Sequence, residues 1–149
     1  MKRFSFNLEK VLHLRKFTEQ EAKIELGRAV GILSEIERRI ISVAEERVVA
    51  ARDQFSPANN AAMIQQYMFY ILRLDATRDQ LLKDAAQAEL KVEQAREAFL
   101  EASRDRKVLD KLKEKRSAEY RKEMLDAEGK ILDDAASGRL TRQLAEAQG

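Results

Sequence analysis

From Leu8 to Ala50, small or apolar residues recur at alternating steps of four and three, with charged residues filling most positions between. The series is Leu8, Leu12, Arg15, Glu19, Ala22, Leu26, Ala29, Leu33, Ile36, Ile40, Val43, Arg47 and Ala50. A 3.5-residue repeat keeps one stripe of a helix against a partner, which is the a/d rhythm of a coiled coil. The rhythm stops at Phe55-Ser56-Pro57-Ala58-Asn59-Asn60, which holds the only proline of the chain. A second series then runs through Tyr67, Ile71, Leu74, Arg78, Leu81, Ala85, Ala88, Val92, Ala95, Phe99, Ala102, Arg106 and Leu109. Proline is tolerated in a first helical turn and not in a helix interior, so it separates two helices.

The expected fold is all-α: a long two-helix antiparallel coiled-coil hairpin with a longer second helix, in a single coiled-coil domain. Helix 1 is predicted over about 7–54, the turn over about 55–60, helix 2 over about 61–128, and a frayed tail over about 129–149. At about 1.5 Å per residue the helices would be roughly 70 and 100 Å long, so the second should overhang the first. Ser5 or Asn7 is a candidate cap for helix 1, and Ser56, Asn59 and Asn60 supply cap and turn residues around Pro57. Phe4, Phe6 and Leu8 alternate before helical spacing begins, which predicts an extended N-terminal segment. Gly27 and Gly31 fall inside helix 1, where a close approach of the two helices would account for them.

The chain has 149 residues, of which 36% are charged and 6% aromatic. This suits an elongated rod with a thin seam better than a globule with a deep core, and argues against a small-molecule pocket. There is no cysteine, which removes disulfides and thiolate metal sites and is compatible with a reducing cytoplasm. No run approaches the ~18 apolar residues of a membrane span, and the basic start Met1-Lys2-Arg3 leads into no apolar stretch of signal-peptide length. Twenty-eight basic and 26 acidic residues nearly cancel to a net charge of +2.

Two stretches stand out against the regular seam. From Met63 to Leu74 apolar residues surround the helix, more than one seam can bury. Either they pack around the turn with Phe55 and Val48 or Val49, or they form an exposed docking patch. The run Arg104–Lys122 is rich in Lys and Arg and falls on the expected overhang, which points to a solvated face or a partner surface. Phosphate binding is the lesser reading, because a single aromatic, Tyr120, interleaves the cations and no nucleic-acid motif is present. His13 is the only histidine and has no second ligand beside it to share a metal. Carboxylate pairs such as Glu89 with Glu93 lack a cleft to perturb them. The expectation is therefore no catalytic residue, no metal, no cofactor and no nucleic-acid partner.

The opening Phe4-x-Phe6-x-Leu8-x-x-Val11-Leu12-x-x-Arg15, followed by Glu19, Ala22 and Leu26, resembles the start of the flagellar export protein FliJ family. Leu109-x-x-Leu112-Lys113-x-x-Arg116-x-x-x-Tyr120-x-x-Glu123 is similar to the other recognisable stretch of that family. Length, a single central breaker and a longer second helix match as well. The resemblance implies a cytoplasmic stalk of the flagellar type III export apparatus, peripheral to the membrane at the flagellar base and monomeric when isolated. Its implied partners are the hexameric export ATPase, the export-gate membrane protein and export chaperones. By analogy with rotary stalks, Phe4, Phe6, Leu8, Leu12, Arg15, Leu109, Leu112, Lys113, Arg116 and Tyr120 would meet the ATPase. Tyr67, Phe69, Tyr70 and Leu74 would face the gate or a chaperone. Rival readings are the stalk protein of a virulence-type secretion system, and a scaffold in which Pro57 merely kinks an extended intermolecular coil.

Overall fold

The structure, a computed structural model, describes residues 3–149; Met1 and Lys2 of the basic start lie outside the described residues. It consists of two helices, α1 (Glu9–Asp53) and α2 (Ala61–Ala147), with no strand among the described residues. The fold is an all-α helical hairpin with the longer helix second. Intrachain pairing of α1 with α2 replaces the kinked intermolecular coil: in one chain Glu9 bonds Lys113 and Arg47 bonds Asp75. The helices divide into two compact units, Met1–Lys16 with Arg104–Gly149 and Phe17–Ser103.

Within Phe17–Ser103, burial follows the heptad positions. Ala50, Leu74, Leu81, Ala85, Ala88, Val92 and Ala102 are buried, and Ala22, Leu26, Ala29, Leu33, Ile36, Ile40, Val43 and Arg47 are half-buried. Three of the six buried α2 residues of this seam are alanines (Ala85, Ala88 and Ala102), so the core is thin there and little side-chain volume separates the helices. Arg78 departs from the pattern: it is exposed, with its guanidinium 3.4 Å from the Asp79 carboxylate. A guanidinium on a narrow seam keeps its hydration by turning outward.

The reversal is built from two backbone turn bonds and the side-chain amides of Asn59 and Asn60. The Ser56 N–H donates to the Asp53 carbonyl (3.1 Å) and the Asn59 N–H to the Ser56 carbonyl (3.0 Å). Pro57 thus occupies the second position of a four-residue turn, where its fixed φ is favourable. Asn59 Nδ2 donates to the carbonyls of Asp53 (2.8 Å) and Gln54 (3.1 Å), satisfying acceptors that the end of α1 leaves unpaired. Asn60 Oδ1 accepts the Met63 N–H at 2.9 Å and caps α2.

Four details differ from the sequence expectation. The residue preceding α1 is Leu8, not Ser5 or Asn7; the incoming turn is closed by the Glu9 N–H donating to the Phe6 carbonyl at 3.1 Å. Glu9 in the first turn complements the helix dipole in place of a side-chain cap. The second difference is the tail, which is helical: α2 continues past 128 to Ala147. Residues 130–149 are all exposed, so local propensity sustains this stretch. Ala, Leu, Arg, Gln and Glu outweigh Gly129 and Gly138, since propagating an existing helix costs far less than nucleating one.

The third difference is that the basic run is not an unpartnered overhang. Residues 3–8 are extended or in a turn ahead of α1, and Phe4 reaches Tyr120. An extended chain covers about 3.3 Å per residue against 1.5 Å for a helix, so a few residues reach along several helical turns. Finally, no close approach explains the helical glycines: a Cβ built on Gly27 or Gly31 meets nothing within 4 Å. Gly27→Ala and Gly31→Ala are therefore each expected to stabilise the protein by about 0.8–1 kcal/mol. Thermal unfolding followed by circular dichroism should show the double variant melting several degrees higher; a lower midpoint would mean that these positions serve close packing after all.

Candidate functional site

In the unit Met1–Lys16 with Arg104–Gly149, the N-terminal segment and α2 enclose an open cleft of about 450 Å³. Alternation in the extended segment brings Phe4, Phe6 and Leu8 to it, and helical spacing brings Leu112, Arg116 and Tyr120 from α2. The Phe4 and Tyr120 rings lie 5.6 Å apart at 44°, an attractive tilted arrangement. Below the cleft, Lys113 Nζ donates to the Glu9 carboxylate at 2.9 Å, and Arg15 stands 3.4 Å from Asp105. These pairs are partly exposed, so they contribute more to register than to stability. The hydrogen bond from Lys113 holds the Glu9 carboxyl below its ordinary range.

Six of the ten residues assigned to this end by sequence thus line one cleft, and four stand elsewhere. Leu12 is 1% exposed, a core residue that positions the site and offers no surface to a partner. Leu109 is half-buried in the seam, and Lys113 and Arg15 are engaged by carboxylates. Glu123, which closes the second family motif, also lines the cleft, as do Arg3 and Glu119, which were not assigned to it. Their spacing from Phe4 and Tyr120 is the signal that finds them, once the extended segment is known to lie on α2.

In the unit Phe17–Ser103, the residues near the turn separate by role. Leu74 is buried and belongs to the seam, while Tyr67 is half-buried. The Tyr70 hydroxyl donates to Glu46 at 3.0 Å, which pushes its pKa up, and the Arg73 guanidinium lies 5.9 Å from the Tyr70 ring centre. The Arg47 side chain donates to Asp75 at 2.6 Å; this bond lowers the Asp75 pKa and raises that of Arg47. Phe69 is 58% exposed and shares an open surface with Leu72, and Met63, Met68, Val48, Val49 and Phe55 are exposed as well. Packing around the turn therefore does not absorb the surplus apolar residues, which stay open to solvent. Glu46 and Asp75 were not foreseen, because their partners come from the opposite helix and only the antiparallel register brings them together.

A family model described as flagellar FliJ protein matches residues 4–145. The chain belongs to the FliJ family. Comparison with curated proteins and with solved structures gave no match. Membership makes this FliJ-family chain a flagellar export-associated protein, and both stretches that carried the resemblance border the cleft of the terminal unit. Among the described residues no helix is long and apolar enough to cross a membrane, and no cluster of His, Cys, Asp or Glu is arranged to hold a metal ion.

Proposed function

We propose that this chain is a stalk-like cytoplasmic component of the flagellar type III export apparatus. It binds the hexameric export ATPase through the cleft of the terminal unit and promotes its activity. The observation that supports this is the convergence of Phe4, Phe6 and Leu8 with Leu112, Arg116 and Tyr120 on one open surface. Aromatic and arginine side chains at a partly desolvated cleft are the residue types that dominate binding energy at protein interfaces. The exposed patch around Phe69, beside Tyr67 and Tyr70, then serves the export gate or a chaperone. A protein without catalytic groups of its own can still raise the turnover of a ring, because coupling needs only different contacts with different subunit states.

The test is stimulation of the export ATPase by the double variant Phe6→Ala with Arg116→Ala. Half-maximal stimulation is expected to need about tenfold or more extra protein, with helicity retained. Unchanged stimulation by a helical variant would sink the assignment of this cleft, and an unresponsive ATPase with the unaltered chain would sink the ATPase reading itself.

A further inference from the structure

The face of α2 that points away from the seam carries an unclaimed row of cations. Between residues 104 and 122, the side out of solvent is marked by Arg106, Leu109, Lys113, Ser117 and Tyr120, all half-buried. On the opposite side, Arg104, Lys107, Lys111, Lys115 and Lys122 follow one another at helical steps, and all five are exposed. At about 1.5 Å per residue they span roughly 27 Å along the axis. Of the acids in this stretch, Asp105 faces Arg15 and Asp110 faces Arg106, while exposed Glu114 and Glu119 flank the row, so five cations stand against two open carboxylates and the face stays net positive. None of the five cations makes an ion pair among the described residues. Val108 and Leu125 lie on the same face and are 66% and 67% exposed.

We propose that this face of α2 docks on an anionic lipid surface, with phospholipid headgroups as the bound groups. Three observations favour lipid over a protein or a nucleic acid. The row is convex and straight, with no groove, so it can meet a plane along its whole length but has little to offer a shaped partner. Four of the five cations are lysines, compact point charges suited to a diffuse anionic surface; arginine is the residue that makes bidentate pairs, and lysine is depleted at protein interfaces. Exposed Val108 within the row and Leu125 just past its end would gain by entering the headgroup boundary, as on an amphipathic interfacial helix, and would gain nothing on a phosphate backbone. Such docking needs no contribution from the ATPase-facing cleft, and binding by the isolated chain is enough to reveal it.

Co-sedimentation of the full chain with vesicles tests this. Binding is expected to vesicles of about 30% phosphatidylglycerol in phosphatidylcholine, to fall at least tenfold from about 50 to 200 mM salt, and to be absent on pure phosphatidylcholine. Each lysine near such a surface contributes about fivefold, so replacing Lys107, Lys111, Lys115 and Lys122 by Gln should weaken binding by at least about fiftyfold. Replacing the equally exposed Lys23, Arg39, Lys83 and Lys91 by Gln removes the same charge and should change it by less than about fivefold. Val108→Asn with Leu125→Asn should weaken what binding remains at the higher salt. Equal losses from the two quadruple variants overturn the proposal, as does binding to neither kind of vesicle. Binding to duplex DNA but not to anionic vesicles at the same salt would replace lipid by nucleic acid.

Discussion

Replacing Leu12 by alanine is expected to lower stability by about 2–5 kcal/mol, the range for truncating a buried leucine when the surroundings relax only partly. Among the described residues, Leu12 is the one large side chain that is less than 2% exposed. It stands between Glu9, held by Lys113, and Arg15, held near Asp105, and so faces the stretch of α2 between those two partners. The seam elsewhere is made largely of alanines and half-buried residues, so no other single side chain holds the terminal unit together to the same degree. Because the cleft is formed by the segment that leads into Leu12, its loss should loosen the cleft before it unfolds the second unit. Thermal unfolding by circular dichroism should show a lower midpoint. Amide exchange should show protection falling first in residues 4–16 and 104–124; a drop in protection spread evenly over both units would contradict this order.

The double substitution Asn59→Ala with Asn60→Ala is expected to cost about 2–4 kcal/mol, more than its two solvated neighbours in the turn would suggest. Asn60 caps α2 through the Met63 amide, and loss of an N-cap costs about 0.5–2 kcal/mol. Asn59 satisfies two carbonyls at the end of α1, beside Gln54, which is buried. Removing it leaves acceptors without a donor in a partly dry place, at about 1–3 kcal/mol. Each residue serves a different helix through different partners, so most of both losses should appear in the double variant, less whatever coupling two adjacent residues share. Urea unfolding of the two single variants and the double measures this directly. A double variant no worse than either single one would show that the turn is held by Pro57 and the seam alone.

How much of this molecule was legible beforehand differs from residue to residue. The heptad positions were legible because a 3.5-residue repeat is a property of the order of residues alone. Leu26, Ala29, Leu33 and Ile36 are less exposed than the residues around them for that reason. Pro57 and its two asparagines marked the reversal through local chemistry, and the family resemblance rested on motifs at both ends that the match over residues 4–145 supports. The cap of α1 and the fate of the tail were misjudged by local rules. Leu8 can precede a helix because Glu9 and the Phe6 carbonyl serve the first turn, and residues 129–147 stay helical because an established helix propagates cheaply.

The candidate site was legible only as a set of residues. Phe4, Phe6 and Tyr120 could be singled out by type and spacing, but their meeting depends on an extended strand lying along a helix more than a hundred positions later. The same holds for Leu12, chosen as a contact residue and found in the core. Period and propensity are written within a few turns of the chain, so the order of residues was enough for two helices, their seam and their reversal. Which side chain of α1 opposes which of α2 is set by the sum of many weak contacts after the helices meet. Only that register separates a buried leucine from an exposed one, pairs Glu9 with Lys113, and leaves the lysines of α2 facing outward.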